Sequence, residues 1–222
     1  MGIALPEGTV RIGAWLRLDE LLLNVQTGEL SVGLPLIASL FGDLQTFARL
    51  QDANETFQQV RLNPLRIEGA ADISDVSRFT FDSNPFLPAD MRQAERDRVE
   101  AALEGVSGWV YFEGDIDAAL SERLRLDMLY AETNLSDSRY TPTWRRLTIA
   151  GMTAFDTAGN AHPIDPAARD DWSLVFDNNS IANGEAQLAD TDKGTGWQIN
   201  WTQQQDRTAL AICHAQRSVG QH

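Results

Sequence analysis

The sequence predicts a mainly β protein, either an antiparallel β-sandwich or a strongly bent sheet, with long hairpins and two peripheral helices at about 35–50 and 88–104. Three observations predict this class. One long segment alternates apolar and polar residues, several shorter segments do the same between turn sequences, and helical spacing of apolar residues occurs in only two places. Because helices do not alternate regularly with strands, the pattern excludes a doubly wound α/β fold.

The longest alternating segment runs from Val110 to Tyr130. A period of two places successive side chains on opposite faces of an extended chain. The series is interrupted at Ser121-Glu122-Arg123, where a hairpin would turn. We therefore predict two adjacent antiparallel strands within residues 109–132, with the turn at 120–124. The even positions that carry the pattern are Val110, Phe112, Gly114, Ile116, Ala118, Leu120, Leu124, Leu126, Met128 and Tyr130.

Shorter alternating segments predict the other strands. Residues 9–18 alternate, Asp19-Glu20 interrupts the pattern, and residues 21–25 resume it before a turn at Gln26-Thr27-Gly28, which indicates a hairpin. Strand character recurs within residues 57–81 and 147–155. The C-terminal part predicts four more strands, separated by turns rich in Asp, Asn and Gly, at 172–176, 181–189, 197–202 and 208–214.

Apolar residues at three- and four-residue spacing predict the two helices. The first covers residues 35–50, and Pro35 suits its opening turn. The second covers residues 88–104 and ends at Gly105, a residue typical of helix C-termini. Its apolar face is thin, so we expect it at the surface. The apolar stripe of the first helix comprises Leu36, Ile37, Leu40, Phe41, Leu44, Phe47 and Ala48.

The chain is long enough for one large β domain or two small ones. We predict a single β-rich domain over residues 1–222. The polar stretch at 133–143 is a candidate seam, which would separate residues 1–132 from a C-terminal β-meander at 144–222.

Charge and hydropathy exclude several classes of partner. The 32 acidic residues outnumber the 18 basic ones, giving a formal charge of −14 that would repel a phosphate backbone, so we do not expect nucleic-acid binding. The sequence has neither a signal-peptide pattern nor a run of apolar residues long enough to span a membrane. We expect the protein in the cytoplasm or in an assembled particle, and the sequence does not choose between them.

No residue set predicts a metal or a cofactor. Cys213 and His214 are adjacent, so on a strand they would face opposite sides and could not easily bind one zinc ion. The turn from Asp190 to Gly194 offers oxygen ligands, but an EF-hand loop beginning there would have Trp201 where glutamate is required. Asp and Asn are also favoured in turns for local hydrogen bonding. We therefore expect no metal and no cofactor.

Three acids in the long alternating segment form a candidate catalytic set. Glu113, Asp115 and Asp117 occupy odd positions of one predicted strand, so successive carboxylates would lie about 7 Å apart on one face. Paired carboxylates can hydrolyse glycosides, and Trp109 and Tyr111 would supply a platform for a sugar. The alternative is that these positions form the solvent face of an amphipathic strand, where acids are common.

Two tryptophans form a candidate binding site. Trp197 and Trp201 share one face of a predicted strand, with Ile199 between them. If this face is exposed, the two indoles form a ledge about 14 Å long for a carbohydrate or a protein. If it is buried, they belong to the core, which the intervening isoleucine favours.

Because no active-site motif is present, we expect a non-enzymatic structural protein. It would be one subunit of a multimeric particle or appendage, such as a virus particle, and would form a homo-oligomer or bind other subunits. One alternative is a carbohydrate-binding module or β-sandwich glycosidase that uses the acidic strand face and the tryptophans to bind a glycan. A second alternative is a β-sheet protein that contacts lipid through its amphipathic hairpins.

Overall fold

The computed structural model describes residues 2–42, 44–69, 94, 97–98, 101, 103–117, 123–133, 143–168, 172–176, 181–203 and 208–214. Most of these residues lie in thirteen strands. The helical elements described from end to end are α1 (Ile37–Gly42) and a 3-10 turn (Pro166–Ala168), and Ala94, Asp97, Arg98 and Ala101 are also helical. The strands are β1 (Ile3–Ala4), β2 (Thr9–Leu23), β3 (Leu30–Pro35), β4 (Leu44–Gln51), β5 (Phe57–Ile67), β6 (Val110–Asp115), β7 (Arg125–Thr133), β8 (Thr143–Asp156), β9 (Ala161–Pro163), β10 (Trp172–Phe176), β11 (Ile181–Thr191), β12 (Gly194–Gln203) and β13 (Thr208–His214).

The strands form one antiparallel sheet that curls into a half-barrel. Its order is β10-β13-β7-β4-β5-β6-β2-β8-β12-β11, while β1 pairs with β7, β3 with β2, and β9 with β8. This confirms the predicted mainly β class and, of the two predicted architectures, the strongly bent sheet. Curling lets one face of the sheet close on itself, so that a single layer encloses much of its own core.

The core lies on one face of the sheet, as the period-two pattern requires. In β2 the even residues Ile12, Ala14, Leu16 and Leu18 are fully buried, whereas Arg11 and Arg17 on the other face remain partly exposed. The same cluster takes in even residues of β4 and β6 and the inward side of β8 and β12. In β7 it takes in Leu126, and then the odd residues Leu129 and Ala131 beyond an irregularity in the pairing with β4. Alternation in the sequence therefore identified the buried face of β2 and β6, whereas the predicted even series is wrong in β7 after Leu126, because the bulge there moves the odd residues to the inner face.

The predicted hairpin at 109–132 is wrong in its pairing. Both strands exist, as β6 and β7, but β6 lies between β5 and β2, and β7 lies between β4 and β13. The segment joining them begins and ends against the N-terminal part of the chain. The Ile116 N–H donates to the Val10 carbonyl over 2.7 Å, and the Leu5 N–H donates to the Leu124 carbonyl over 2.9 Å. Alternation determines which face is buried and leaves the identity of the neighbouring strand open.

The predicted helix at 35–50 is wrong over its second half. Helix α1 ends at Gly42, and residues 44–51 form β4, in which Leu44, Thr46, Ala48 and Leu50 are buried. Leu44 and Ala48 are four residues apart, a spacing that suits a helix face and also one face of a strand. Helix α1 also packs against β2 and β4 with Ile37 and Leu40 fully inside the core, so it is not peripheral.

Only part of the second predicted helix, at 88–104, falls on described residues. Ala94, Asp97, Arg98 and Ala101 are helical, and Gly105 follows with a φ of 88° in the left-handed region that ends many helices. The rest of that prediction lies outside the described residues, as do the predicted strand residues beyond Gly69 up to 81.

The N-terminal hairpin forms with one change. Strand β2 continues through Asp19 and Glu20, and the irregularity appears as a bulge in its pairing with β3 between Asp19 and Leu21. The turn then spans Asn24 to Gly28, where the Gly28 N–H donates to the Asn24 carbonyl.

The four predicted C-terminal strands are present as β10 to β13. Strands β11 and β12 continue the sheet from β8, whereas β10 and β13 continue it from β7 at the opposite end. The centre of the candidate seam, residues 134–142, lies outside the described residues, so the division of the chain there stays a prediction.

Candidate functional site

The three candidate glycosidase acids do not share one environment. Glu113 accepts a hydrogen bond from the Tyr111 hydroxyl over 3.0 Å and lies 3.1 Å from the Arg11 Nε. Asp115 is the exposed last residue of β6, and the exposed Asp117 lies beyond the end of the strand. The structure therefore places only Glu113 and Asp115 on one strand face, and it engages Glu113 in an ion pair.

The two candidate ledge tryptophans are buried. Trp197 is 4% exposed and Trp201 is 0% exposed, and both belong to the core cluster together with Ile199. Strand β12 lies between β8 and β11, so this face points into the half-barrel. The core alternative describes these residues, and the described surface carries no ledge formed by them. The buried Trp201 Nε1–H has no hydrogen-bond acceptor among the described residues.

The outer face of the sheet carries a row of aromatic and cationic side chains that the sequence analysis did not identify. Strand pairing places Arg66, Tyr111 and Trp15 side by side across β5, β6 and β2. The Arg66 guanidinium carbon lies 4.5 Å from the centre of the Tyr111 ring, and the two aromatic rings are 5.2 Å apart. Lys193, from the β11–β12 turn, places its Nζ 5.2 Å from the Trp15 ring. Each contact lies within the range of a cation–π or ring–ring interaction.

Two glycines make this row possible. A Cβ on Gly13 would lie 2.0 Å from the Tyr111 hydroxyl oxygen, so the tyrosine lies flat across the sheet only because no side chain is there. Gly151 has a φ of 57°, and a Cβ on it would lie 2.9 Å from the Lys193 carbonyl oxygen. Small residues at these positions would have been the sequence signal for this row.

Hydrogen bonds and ion pairs engage Tyr111 and Lys193 in this row. Burial, together with the hydrogen bond to Glu113, raises the pKa of Tyr111 to about 12. Lys193, the only lysine of the chain, contacts the Glu68 carboxylate and lies 3.3 Å from Asp192. The hydrogen bond between Lys193 and Glu68 raises the pKa of Lys193 and lowers the pKa of Glu68. These interactions connect the β11–β12 turn to the end of β5, which indicates a stabilising role for this face.

The turn from Asp190 to Gly194, which offered oxygen ligands, is closed by local hydrogen bonds. The Thr195 hydroxyl donates to Asp190 over 3.1 Å, and the Lys193 N–H donates to the Thr191 hydroxyl over 3.0 Å. No group of three His, Cys, Asp or Glu residues that could hold a metal occurs in the part of the chain that the structure describes.

A second acidic turn connects β8 to β9. Asp156 Oδ1 accepts hydrogen bonds from the backbone N–H groups of Ala158 and Asn160, each over 2.9 Å. Its Oδ2 lies 3.0 Å from the His162 Nε2 and accepts a bond from the Asn160 side chain. The bond with His162, followed by those with Asn160 and Ala158, holds the pKa of Asp156 well below its ordinary value of 3.8.

This turn is expected to loosen in acid. Because the folded-state pKa of Asp156 is lowered, its contribution is complete above pH 3.8 and is lost as the pH falls below that value towards the lowered pKa. We expect the hydrogen-exchange protection of the Ala158 and Asn160 amides to fall over that interval. The Asp156→Asn variant, which cannot titrate at this position, should lack this pH dependence. Equal pH dependence in both proteins, measured by NMR, would contradict the assignment.

Among the described residues, five of the eight exposed large apolar side chains lie on one hairpin. Strands β2 and β3 and their turn expose Leu22 (56%), Leu23 (45%), Val25 (91%), Val32 (46%) and Leu34 (69%), and we call these five residues the hairpin patch. Beside it, Leu34 and Pro35 line a cavity of about 390 Å³ together with Ala101, Leu103 and Val106, with Asp97 and Glu104 also lining it. Isolated exposed leucines are ordinary, but several on one hairpin indicate an interaction surface.

Among the residues that the structure covers, no helix has the length and apolar character needed to cross a membrane. Comparisons of the chain with protein-family models, with curated proteins and with solved structures find no match.

Proposed function

We propose that this protein is a non-enzymatic structural subunit that acts by assembling, with itself or within a larger particle or appendage. The hairpin patch is the observation that carries this proposal, because five large apolar side chains of one hairpin are between 45% and 91% exposed. Exposed apolar surface on both faces of a hairpin costs free energy in water, and covering it with another protein recovers about 25 cal/mol for each Å² removed from solvent.

The distribution of charge supports the same proposal. The chain has a formal charge of −14, and 23% of its residues are charged, yet no charged residue occurs from Leu30 to Gly42. Strand edges that stay exposed in water usually carry charges or prolines that discourage pairing. Strand β3 has only Pro35, at its end, which suits a strand that is covered in the assembled protein.

The environment of the candidate acids also favours assembly over glycoside hydrolysis. Glu113 is engaged by Tyr111 and Arg11, and Asp117 lies outside β6. A retaining or inverting glycosidase needs two carboxylates facing each other across a bound sugar. The outer aromatic row provides a second candidate function, carbohydrate binding, because Trp15 remains partly exposed beside Tyr111 and Arg66.

Light scattering tests the main proposal. We expect the wild-type protein to self-associate at tens of micromolar, or to bind its assembly partner, and a Leu22→Glu/Val25→Glu variant to lose that association. Leu188→Glu is the matched control, because Leu188 is a 47% exposed leucine on β11, outside the hairpin patch. If the wild type is a strict monomer without a partner and a glycosidase activity is lost on Glu113→Gln, the proposal is overturned in favour of the enzyme.

Two further measurements separate the alternatives. Binding of a glycan panel that quenches tryptophan fluorescence, and that is lost on Arg66→Ala, would favour carbohydrate binding at the aromatic row. Flotation with phospholipid vesicles that depends on the hairpin patch would favour contact with lipid. Under the main proposal, neither signal is expected.

A further inference from the structure

We infer that a second copy of this chain pairs edge to edge with β3 around a two-fold axis at Ser31 and so covers the Val32 side of the hairpin patch. This inference rests on the proposed function, since it names the partner and the geometry of the assembly. It follows from the backbone of β3, from the side chains beside it, and from the charges that flank it.

The backbone of β3 is available for pairing at two residues. The Asn24 N–H donates to the Glu29 carbonyl over 2.8 Å, and the register then pairs Leu23 with Leu30 and Leu22 with Ser31. Hydrogen-bonded and non-hydrogen-bonded pairs alternate in an antiparallel ladder, so Ser31 bonds to β2, while Leu30 and Val32 direct their N–H and C=O groups away from it. Among the described strands, β3 pairs only with β2.

The usable segment is short and self-complementary. A bulge follows Val32, and Pro35 lacks an N–H, so the ladder can extend only over Leu30 to Val32. In an antiparallel pairing centred on Ser31, Leu30 of each copy lies opposite Val32 of the other. The two-fold axis makes both pairs equivalent, and together they complete about four backbone hydrogen bonds.

The side chains beside this edge are apolar on the face that the two copies would share. Leu30 and Val32 lie on the same face as Leu21 and Leu23, their partners across the hairpin. Leu21 is 4% exposed and already buried, whereas Leu23 is 45% exposed and Val32 is 46% exposed. Pairing would bring Leu30 of each copy into contact with Val32 of the other copy. The apolar strip would then extend without a break across the two-fold axis.

The flanking charges permit self-pairing. Two copies of charge −14 repel each other, so a stable contact must keep carboxylates apart. In this register Glu29 faces Gly33 of the second copy, and no charged residue follows until beyond Gly42. The β3 edge therefore lets two acidic chains meet without placing one carboxylate directly opposite another.

Site-specific cross-linking tests the axis. In a Cys213→Ala background, Ser31→Cys would place two thiols opposite each other at a non-hydrogen-bonded pair, where the Cα atoms are about 4.5 Å apart, within the range of a disulfide. The control is Val25→Cys, which is 91% exposed but lies in the turn, off the strand. At tens of micromolar in a glutathione redox buffer, we expect the Ser31→Cys protein to form a covalent dimer at least ten times faster than the control. Adding Val32→Lys should abolish this difference.

The outcomes separate this inference from the proposed function. Rapid cross-linking of Ser31→Cys that is lost with Val32→Lys supports the two-fold pairing. If the wild type associates in light scattering while Ser31→Cys cross-links no faster than Val25→Cys, the pairing is overturned and the assembly function stands with another surface or a foreign strand. If the wild type stays monomeric and binds no partner, both proposals fail.

Discussion

Replacing Phe112 with alanine is expected to lower the free energy of unfolding by about 3–5 kcal/mol. Phe112 lies in the middle of β6 with 0% of its surface exposed. Its cross-strand neighbours are Ala14 on β2 and Pro64 on β5, and neither can extend into the space that the ring would leave. The loss therefore combines the transfer of the ring to water with the cost of a cavity that cannot collapse.

Urea unfolding followed by circular dichroism measures this effect. Phe57→Ala is the matched control, because Phe57 is 52% exposed at the start of β5 and contacts the Arg49 guanidinium on the surface. We expect the control to lose about 1 kcal/mol or less, chiefly from the lost cation–π contact. A loss below about 1 kcal/mol for Phe112→Ala would mean that β6 is not central to the core.

Sequence alternation predicted the buried face of β2 and β6 because burial acts on each strand separately. Val110 and Phe112 are inside wherever β6 lies, so their spacing carries that information locally. The neighbours of β6 depend on contacts with β2 and β5, whose paired residues are distant in the sequence, as Trp15 with Tyr111 illustrates. A hairpin between β6 and β7 satisfied the same alternation, so the pattern could not exclude it.

The error at 35–50 has a different origin. Leu40, Leu44 and Ala48 fit a helical stripe, and the first turn of that stripe does form α1. Thr46 is the residue that distinguishes the two structures, since it is buried in β4 with Leu44 and Ala48 on either side. A β-branched residue between two apolar ones is typical of a strand, and the tertiary contacts of β4 with β5 and β7 decide the outcome.

Whether the sequence could identify each candidate site depended on which face of its strand is buried in the structure. The pair Trp197 and Trp201 left both possibilities open, and the position of β12 between β8 and β11 places the pair in the core. The hairpin patch had a local signal, because Leu21-Leu22-Leu23 puts apolar residues on both faces of one strand. The contact between Lys193 and Glu68 had none, since these residues are 125 positions apart.

Trp201→Ala is expected to cost about 3–5 kcal/mol of the free energy of unfolding, and Trp201→Phe much less. The indole is 0% exposed in the core cluster, so its removal leaves a cavity on the inner face of β12. Its buried Nε1–H has no acceptor among the described residues, and a buried donor without a partner costs free energy that phenylalanine would not incur. Phenylalanine therefore retains much of the packing and removes an unsatisfied group.

Urea unfolding of both variants, beside Leu188→Ala as the exposed control, gives the comparison. If Trp201→Phe were as damaging as Trp201→Ala, the indole N–H would have to bind an acceptor that stabilises the fold, and if neither variant lost stability, Trp201 would be a surface residue available for a ligand.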